Sequence, residues 1–202
     1  MSTHSESPEV LQLFGTIKKL LPDAHSIDAT LYRSVGTRYA NTTDFLSGFG
    51  ASHFGGRWNR RGILAVYGSL DAITATHEEY QAFLDYGLPG SSVRPRVMAG
   101  IQAKLRNVLD LTSTTTRRRI GFSLRELVEE DWQSLQSQGE ESWTQAIGRG
   151  SRLAGFEAIR VPSARNKQGA NLVVFPDQLH PGSSLQILRP DEFPPHPSKW
   201  PT

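Results

Sequence analysis

Residues 55–59 read Gly-Gly-Arg-Trp-Asn, in the middle of a stretch, 36–62, that is rich in Gly, Ser, Asn and aromatic residues. The two glycines let the backbone turn tightly and approach another group with no Cβ between them. Arg57 then offers a forked guanidinium suited to a phosphate or carboxylate. Trp58 adds a large flat surface with one donor, and Asn59 both donates and accepts. The stretch reads as one long loop, and a loop of that length inside a compact domain is usually functional.

Outward from this loop, residues 29–35 read as a first strand and 63–69 as a short apolar one. Asp71 then caps a helix over about 72–85. Residues 93–105 and 107–111 read as two paired strands, with Arg94 and Arg96 alternating with Val93 and Val97. The region 112–155 reads as helical and polar, with Arg117-Arg118-Arg119 as a solvated turn and Gly148-Arg149-Gly150-Ser151-Arg152 as a helix end rather than an anion contact. Residues 156–161, 172–175 and 185–188 close the domain as strands.

Upstream, Val10, Leu11, Leu13, Phe14, Ile17, Leu20 and Leu21 recur at helical spacing. Pro8 suits the first turn of that helix, and Pro22-Asp23 ends it. Residues 1–7 are polar and expected to be frayed. Five prolines, at 190, 194, 195, 197 and 201, make the last 13 residues an extended, partly ordered tail. The chain divides into an N-terminal helical extension (1–30), a main domain (31–189) and the Pro-rich tail (190–202). Strands at both ends with helices between them predict an α+β fold rather than a doubly wound sheet.

Composition narrows the function classes. The chain has 202 residues, enough for one ordinary core, and 37% of them are hydrophobic. Lys and Arg total 22 against 20 Asp and Glu, so little electrostatic attraction for nucleic acid is expected. No cysteine is present, which removes disulfides, thiolate metal sites and cysteine nucleophiles. The first residues lack a basic-then-apolar leader, and no apolar run spans a bilayer, so a cytoplasmic location is expected. The histidines at 4, 25, 53, 77, 180 and 196 show no ligand spacing, and no metal is expected. No phosphate-binding glycine motif and no nucleophile-elbow serine occurs.

What remains is an ordered set: Leu31-Tyr32-Arg33, Ser47-Gly48-x-Gly50-Ala51, Gly55-Gly56-Arg57-Trp58-Asn59, Tyr67-x-Ser69, and Glu78 on the next helix. Each member also has a structural reading. Arg33 suits a buried ion pair, Trp58 a core position, Tyr67 a sheet cap, and Glu78 a solvated helix face. As a set they are much less apt to be accidental.

The set resembles the RES domain, the toxin half of a bacterial toxin–antitoxin family named for Arg, Glu and Ser. The resemblance runs from about Leu31 to Pro176. It is carried most specifically by Gly-Gly-Arg-Trp-Asn and by the eleven-residue step from Tyr67 to Glu78. The family's Ser matches Ser163 and its late Asn matches Asn171.

The resemblance implies an ADP-ribosyltransferase-like core, split and mostly antiparallel with flanking helices, that holds NAD⁺ as substrate. It implies cleavage of the nicotinamide–ribose bond by hydrolysis or phosphorolysis, with protein ADP-ribosylation or non-catalytic NAD binding as alternatives. Arg33, Arg57, Tyr67, Glu78 and Ser163 become the implied catalytic residues. Gly55, Gly56, Arg57, Trp58, Asn59, Ser69 and Asn171 become the implied NAD-binding residues. Glu79 beside Glu78 leaves the choice of carboxylate to the spacing from Tyr67, which selects Glu78. Implied partners are NAD⁺, phosphate, a cognate antitoxin and a second copy of the chain, with no membrane and no direct nucleic acid.

Overall fold

A computed structural model describes residues 7–85 and 95–199. Among them run the helices α1 (Pro8–Lys18), α2 (Thr42–Ser47), α3 (Phe49–Phe54), α4 (Ala72–Asp85), α5 (Thr114–Ile120), α6 (Leu124–Glu129), α7 (Trp132–Ser137) and α8 (Trp143–Ala154). The strands are β1 (His25–Gly36), β2 (Val66–Ser69), β3 (Arg96–Asp110), β4 (Ala158–Pro162), β5 (Ala170–Val174) and β6 (Ser184–Ile187). The result is a mixed α/β domain, a six-stranded sheet with flanking helices. Among the described residues no helix is long and apolar enough to cross a membrane.

The sheet runs β1-β2-β5-β4-β3-β6, and β1 pairs with β3 as well. Five strands therefore close into a ring, with β6 added outside β3. All pairings are antiparallel except β3 with β4. Both faces of the β4–β5 region are covered, so its residues are apolar at nearly every position. Leu172 and Val174 enter one core cluster with Leu31, Phe45 and Ile101. Val173, Phe175, Ile159 and Val161 enter the other with Ile17, Trp58, Ile147 and Phe156. Helix α1 packs on α8 above this second cluster.

Several expectations are corrected. Residues 96–110 form one strand, not two paired ones; Val93 and Arg94 lie outside the described residues. The break expected at Arg106 is a bulge: β1 pairs His25 with Val108 but Ile27 with Leu105. Buried Glu157 holds it, its Oε2 accepting the Arg106 and Asn107 N–H groups at 2.6 and 3.1 Å. The stretch 36–62 is not one loop, because α2 and α3 lie within it. Asn41 caps α2, accepting from the Asp44 N–H, and Gly48 separates the two helices at φ +70°.

Arg117 is not in a solvated turn. It is buried on α5 and donates to the carbonyls of Leu111 and Thr112 at 2.8 and 2.7 Å. Residues 148–150 do not end a helix but sit inside α8, where glycine permits close approach. A Cβ at Gly148 would stand 1.8 Å from the Trp58 carbonyl oxygen, and one at Gly150 would stand 2.6 Å from the Phe14 ring. Arg149 between them is ion-paired with Glu141.

The tail is less detached than its prolines suggest. Residues Pro190–Glu192 and Pro197–Lys199 form 3-10 turns, and Phe193 stacks on Phe45 with ring centres 5.1 Å apart. Residues 1–6, within the expected frayed end, and Pro201 lie outside the described residues, while Ser7 caps α1 through the Val10 N–H.

Candidate active site

Strand register brings the site's polar side chains together. Ser69 on β2 stands opposite Asn171 on β5, and Asn171 stands opposite Val161 on β4. Opposed residues of an antiparallel pair share a face, as do residues two apart on one strand. Tyr67, Ser69, Asn171 and, just past β4, Ser163 therefore line one side. Helix α4 rests over β1 and β2 and brings Glu78 to them.

Glu78 is held through a single oxygen. Its Oε1 accepts from Ser163 Oγ at 2.6 Å and from Asn171 Nδ2 at 2.7 Å. Among the described residues no hydrogen bond ends on Oε2. Behind these donors stand further ones. Ser69, 4% exposed, donates its hydroxyl to Asn171 Oδ1 at 2.7 Å, which turns the amide nitrogen toward Glu78. Ser163 Oγ accepts the N–H groups of Arg165 and Asn166 at 3.1 and 2.9 Å, leaving its proton for Glu78.

Three cavities meet at Glu78. One of ≈ 310 Å³ is lined by Arg33, Ser34, Tyr67, Ser69, Glu79 and Asn171 among others. A second, ≈ 510 Å³, holds Arg57, Arg165, Glu129, Asp131 and Trp132. A narrow slot of ≈ 90 Å³ between them is walled by Trp58, Tyr67, Val161 and Asn171. Each flanking cavity contains an arginine, and Glu78 borders all three.

The arginines are anchored differently. Arg33 Nη1 donates to the Tyr67 carbonyl at 2.8 Å, while its buried Nε has no partner among the described residues. Burial, with help from Arg96, lowers its pKa to about 10, against the opposing pull of Glu79 and Tyr67. Arg57 Nη1 donates to the carbonyls of Leu127 and Glu130 at 3.2 and 2.9 Å, closing the C-terminal end of α6. Burial lowers its pKa too, opposed chiefly by Glu130.

Residues 55–59 form a tight turn whose parts are mostly spent on one another. Gly56 and Asn59 exchange backbone hydrogen bonds at 2.8 and 3.3 Å. The Tyr67 hydroxyl donates to Asn59 Oδ1 at 2.7 Å and accepts the Trp58 N–H at 3.0 Å. A Cβ on Gly56 would stand 2.7 Å from that hydroxyl oxygen. Burial pushes the Tyr67 pKa up, opposed by the Trp58 N–H.

Asn59 is fully buried, and its amide donates to the carbonyls of Ala51, Arg60 and Ile63. The structure places the Asn59 side chain, expected to contact NAD⁺, as a bracket inside the protein. Gly55, Gly56 and Asn59 line none of the three cavities, whereas Trp58 and Tyr67 do.

The sequence reading missed several neighbours. Arg165 lies only two residues past Ser163 and shares the larger cavity with Arg57. Glu79 points away from Glu78's donors and is ion-paired with Arg96; burial raises its pKa against the pull of Arg96. Gln145 Nε2 donates to the Gly56 carbonyl at 3.1 Å and Gln136 Nε2 to the Phe54 carbonyl at 3.0 Å, bracing the turn from below. Glu130 caps α8 by accepting from the N–H groups of Trp143 and Thr144. No local pattern marks any of these, because each partner lies on a different element. Among the described residues no group of three or more His, Cys, Asp or Glu is placed to hold a metal ion.

Comparison with known proteins shows the family and the fold. The family model of the RES domain matches residues 30–194. A protein of Mycobacterium bovis named NAD(+) phosphorylase MbcT is 27% identical over 167 residues, 78% of this chain and 78% of its own length. The Mycobacterium tuberculosis protein "Probable NAD(+) phosphorylase Rv3189" is 34% identical over 121 residues, 59% of this chain and 53% of that one. The fold is similar to a chain of the crystal structure of the M. tuberculosis MbcT–MbcA toxin–antitoxin complex. There the TM-score is 0.65 at 24% identity, covering 93% of this chain and 96% of that chain.

Proposed function

The chain belongs to the RES domain family, and from that premise we propose that it is an NAD⁺-consuming toxin that cleaves the nicotinamide–ribose bond. The observation that carries the reading is a carboxylate, Glu78, tied through one oxygen and bordered on either side by a cavity containing an arginine. An arginine on each side of one carboxylate suits a pyrophosphate on one side of the reacting ribose and a separate attacking anion on the other. The mostly antiparallel sheet with flanking helices, in which the long β3 pairs with β1, β4 and β6, supports reading the core as ADP-ribosyltransferase-like.

In this reading the bond between the ribose C1′ and the pyridinium nitrogen breaks, and its electron pair goes to the nitrogen. Nicotinamide leaves neutral, so it needs no acid. Positive charge develops on the ribose, as in glycoside cleavage generally. Glu78 Oε2 faces that charge, and the donors on Oε1 keep the carboxylate in place without reorganisation during the reaction. The remaining N–H groups of Arg33 bind pyrophosphate oxygens and those of Arg57 the attacking phosphate, while Tyr67 and Trp58 wall the slot. Ser163, Asn171 and Ser69 hold Glu78. Gly55, Gly56 and Asn59 shape the turn that carries Arg57 and Trp58.

An incoming phosphate oxygen then forms the new bond at that same anomeric carbon, giving ADP-ribose 1″-phosphate; water in its place gives ADP-ribose and releases a proton. The names of the mycobacterial relatives favour phosphate as acceptor. The cavity holding Arg57 and Arg165 is the place we assign to it. By the same likeness we assign a protein antitoxin as partner, with the cytoplasm as the site of action.

The test is a time course of nicotinamide release from purified protein with NAD⁺, with and without inorganic phosphate. Release is expected, faster with phosphate. Folded protein that releases none under either condition sinks the reading. Label left on a protein would instead favour ADP-ribosyl transfer to protein, and binding by calorimetry without product would favour a non-catalytic module.

A further inference from the structure

Glu78 and Ser163 come from separate elements, a helix and the connection between β4 and β5, so something must set the gap between them. Thr74 lies four positions before Glu78, one helical turn below it on the same face. It is fully buried. Its hydroxyl donates to Asp71 Oδ2 at 2.6 Å and accepts from Asn166 Nδ2 at 2.8 Å, while its N–H donates to Asp71 Oδ1 at 2.7 Å. The loop lies against it closely: a Cβ on Gly169 would stand 2.2 Å from Thr74 Oγ1.

Asn166 uses every polar group it has. Its N–H donates to Ser163 Oγ at 2.9 Å and its amide nitrogen to Thr74. Its Oδ1 accepts the Gln168 N–H at 3.2 Å, and its carbonyl the Gly169 N–H at 2.9 Å. One residue therefore binds both the helical turn beneath Glu78 and the hydroxyl that holds Glu78. Neither Thr74 nor Asn166 lines any of the three cavities at the carboxylate.

We propose that Thr74 and Asn166 are positioning residues for the NAD⁺-cleaving centre, a clasp that fixes the Ser163 loop against α4 and thereby the direction of Glu78. The inference rests on the reading of Glu78 as the working carboxylate. The Thr74 hydroxyl is the critical atom because it donates and accepts at once. Valine has the same shape and can do neither, whereas serine keeps both bonds. Displacing a catalytic group by about 1 Å can lower turnover by about 100-fold, which sets the scale of the effect.

The experiment compares Thr74→Val, Thr74→Ser and Asn166→Asp in the full chain. Two readouts are taken: nicotinamide-release kinetics and amide hydrogen exchange of residues 163–169. Thr74→Val and Asn166→Asp are expected to lower kcat by about 10- to 100-fold. KM for NAD⁺ should stay within about twofold. Both should speed exchange at Arg165 and Asn166, and Thr74→Ser should restore the wild-type values.

Asn166→Asp is nearly isosteric on a half-buried loop, so it stands in if Thr74→Val does not fold. Wild-type exchange and turnover in that variant overturn the clasp, as does equal loss in the valine and serine variants. If the wild type releases no nicotinamide, the functional reading fails by itself. Exchange unchanged across the variants then removes the clasp as well.

Discussion

The hydroxyl of Ser163 donates to Glu78 Oε1 across 2.6 Å, joining residues 85 positions apart in the chain. Asn171 donates to the same oxygen, so the carboxylate is steered from a strand and from the loop after β4 at once, and Glu78 borders the cavities. Glu79, next along the helix, is turned to Arg96 instead. Adjacent helical residues do not face the same way, and here that geometry separates a carboxylate at the cavity junction from an ion-paired one.

Glu78→Gln should therefore lower nicotinamide release by at least about 100- to 1000-fold, the scale seen when one electrostatic stabiliser is removed. Thermal unfolding should be little changed. Glu79→Gln should keep most of the activity, because it loses only a partly exposed ion pair. Parallel kinetics on the two variants decide the matter, and the reverse result would move the role to Glu79.

Tyr67→Phe separates the hydroxyl from the ring. The hydroxyl serves Asn59 and the Trp58 N–H, so its loss should destabilise the protein by about 1–3 kcal/mol in urea unfolding. The ring still walls the slot, and KM for NAD⁺ should hold nearly constant. A large rise in KM at unchanged stability would put the hydroxyl on the substrate.

Gly148→Ala forces a methyl group to within 1.8 Å of the Trp58 carbonyl oxygen, which belongs to the backbone of the active-site turn. Overpacking of this kind costs about 1–3 kcal/mol or more. For a chain of this size that is a fall in Tm of roughly 2–12 °C. Gly15→Ala in α1 meets nothing within 4 Å and should be neutral or stabilising, by about 0.5–1 kcal/mol. Calorimetric scans of both check the contrast.

Glu157 makes stability depend on acid. Burial works to raise its pKa, but the N–H groups of His180, Arg106 and Asn107 that its carboxylate accepts outweigh it, and the net direction is down. Below its ordinary value the unfolded chain binds the proton first, so stability rises with pH across that window. The contribution is complete above about pH 4.5 and is lost as pH falls through the lower folded value. Chemical denaturation from pH 3 to 7 should show that slope, reduced in Glu157→Gln. An unchanged slope in the variant would assign the acid sensitivity elsewhere.

Much of the fold was legible where one period dominates. Helix α1 follows from apolar residues at helical spacing behind Pro8, and α4 from the Asp71 cap. The bulge at Arg106 reads as a break between strands because the two look alike locally, and the residue that makes it a bulge, Glu157, lies 51 positions away. Arg117 looked solvated because its run of charge hides two carbonyls that only the folded α5 turn presents to it. Thr74 and Asn166 carried no signal at all: a threonine in a helix and an asparagine in a turn are ordinary residues until a glycine lets them meet.

By itself the sequence determined the family, through the order and spacing of Arg33, residues 55–59, Tyr67, Glu78, Ser163 and Asn171. Those chemical types are properties of the residues and need no coordinates. Only the tertiary structure decided how they divide the work. It turned Asn59 and the Tyr67 hydroxyl inward, tied Glu78 by one oxygen and sent Glu79 to Arg96. The reason is physical: a polar group inside a protein must be satisfied by whatever the fold brings within about 3 Å of it, and here the partners of Glu78 come from 85 and 93 positions away.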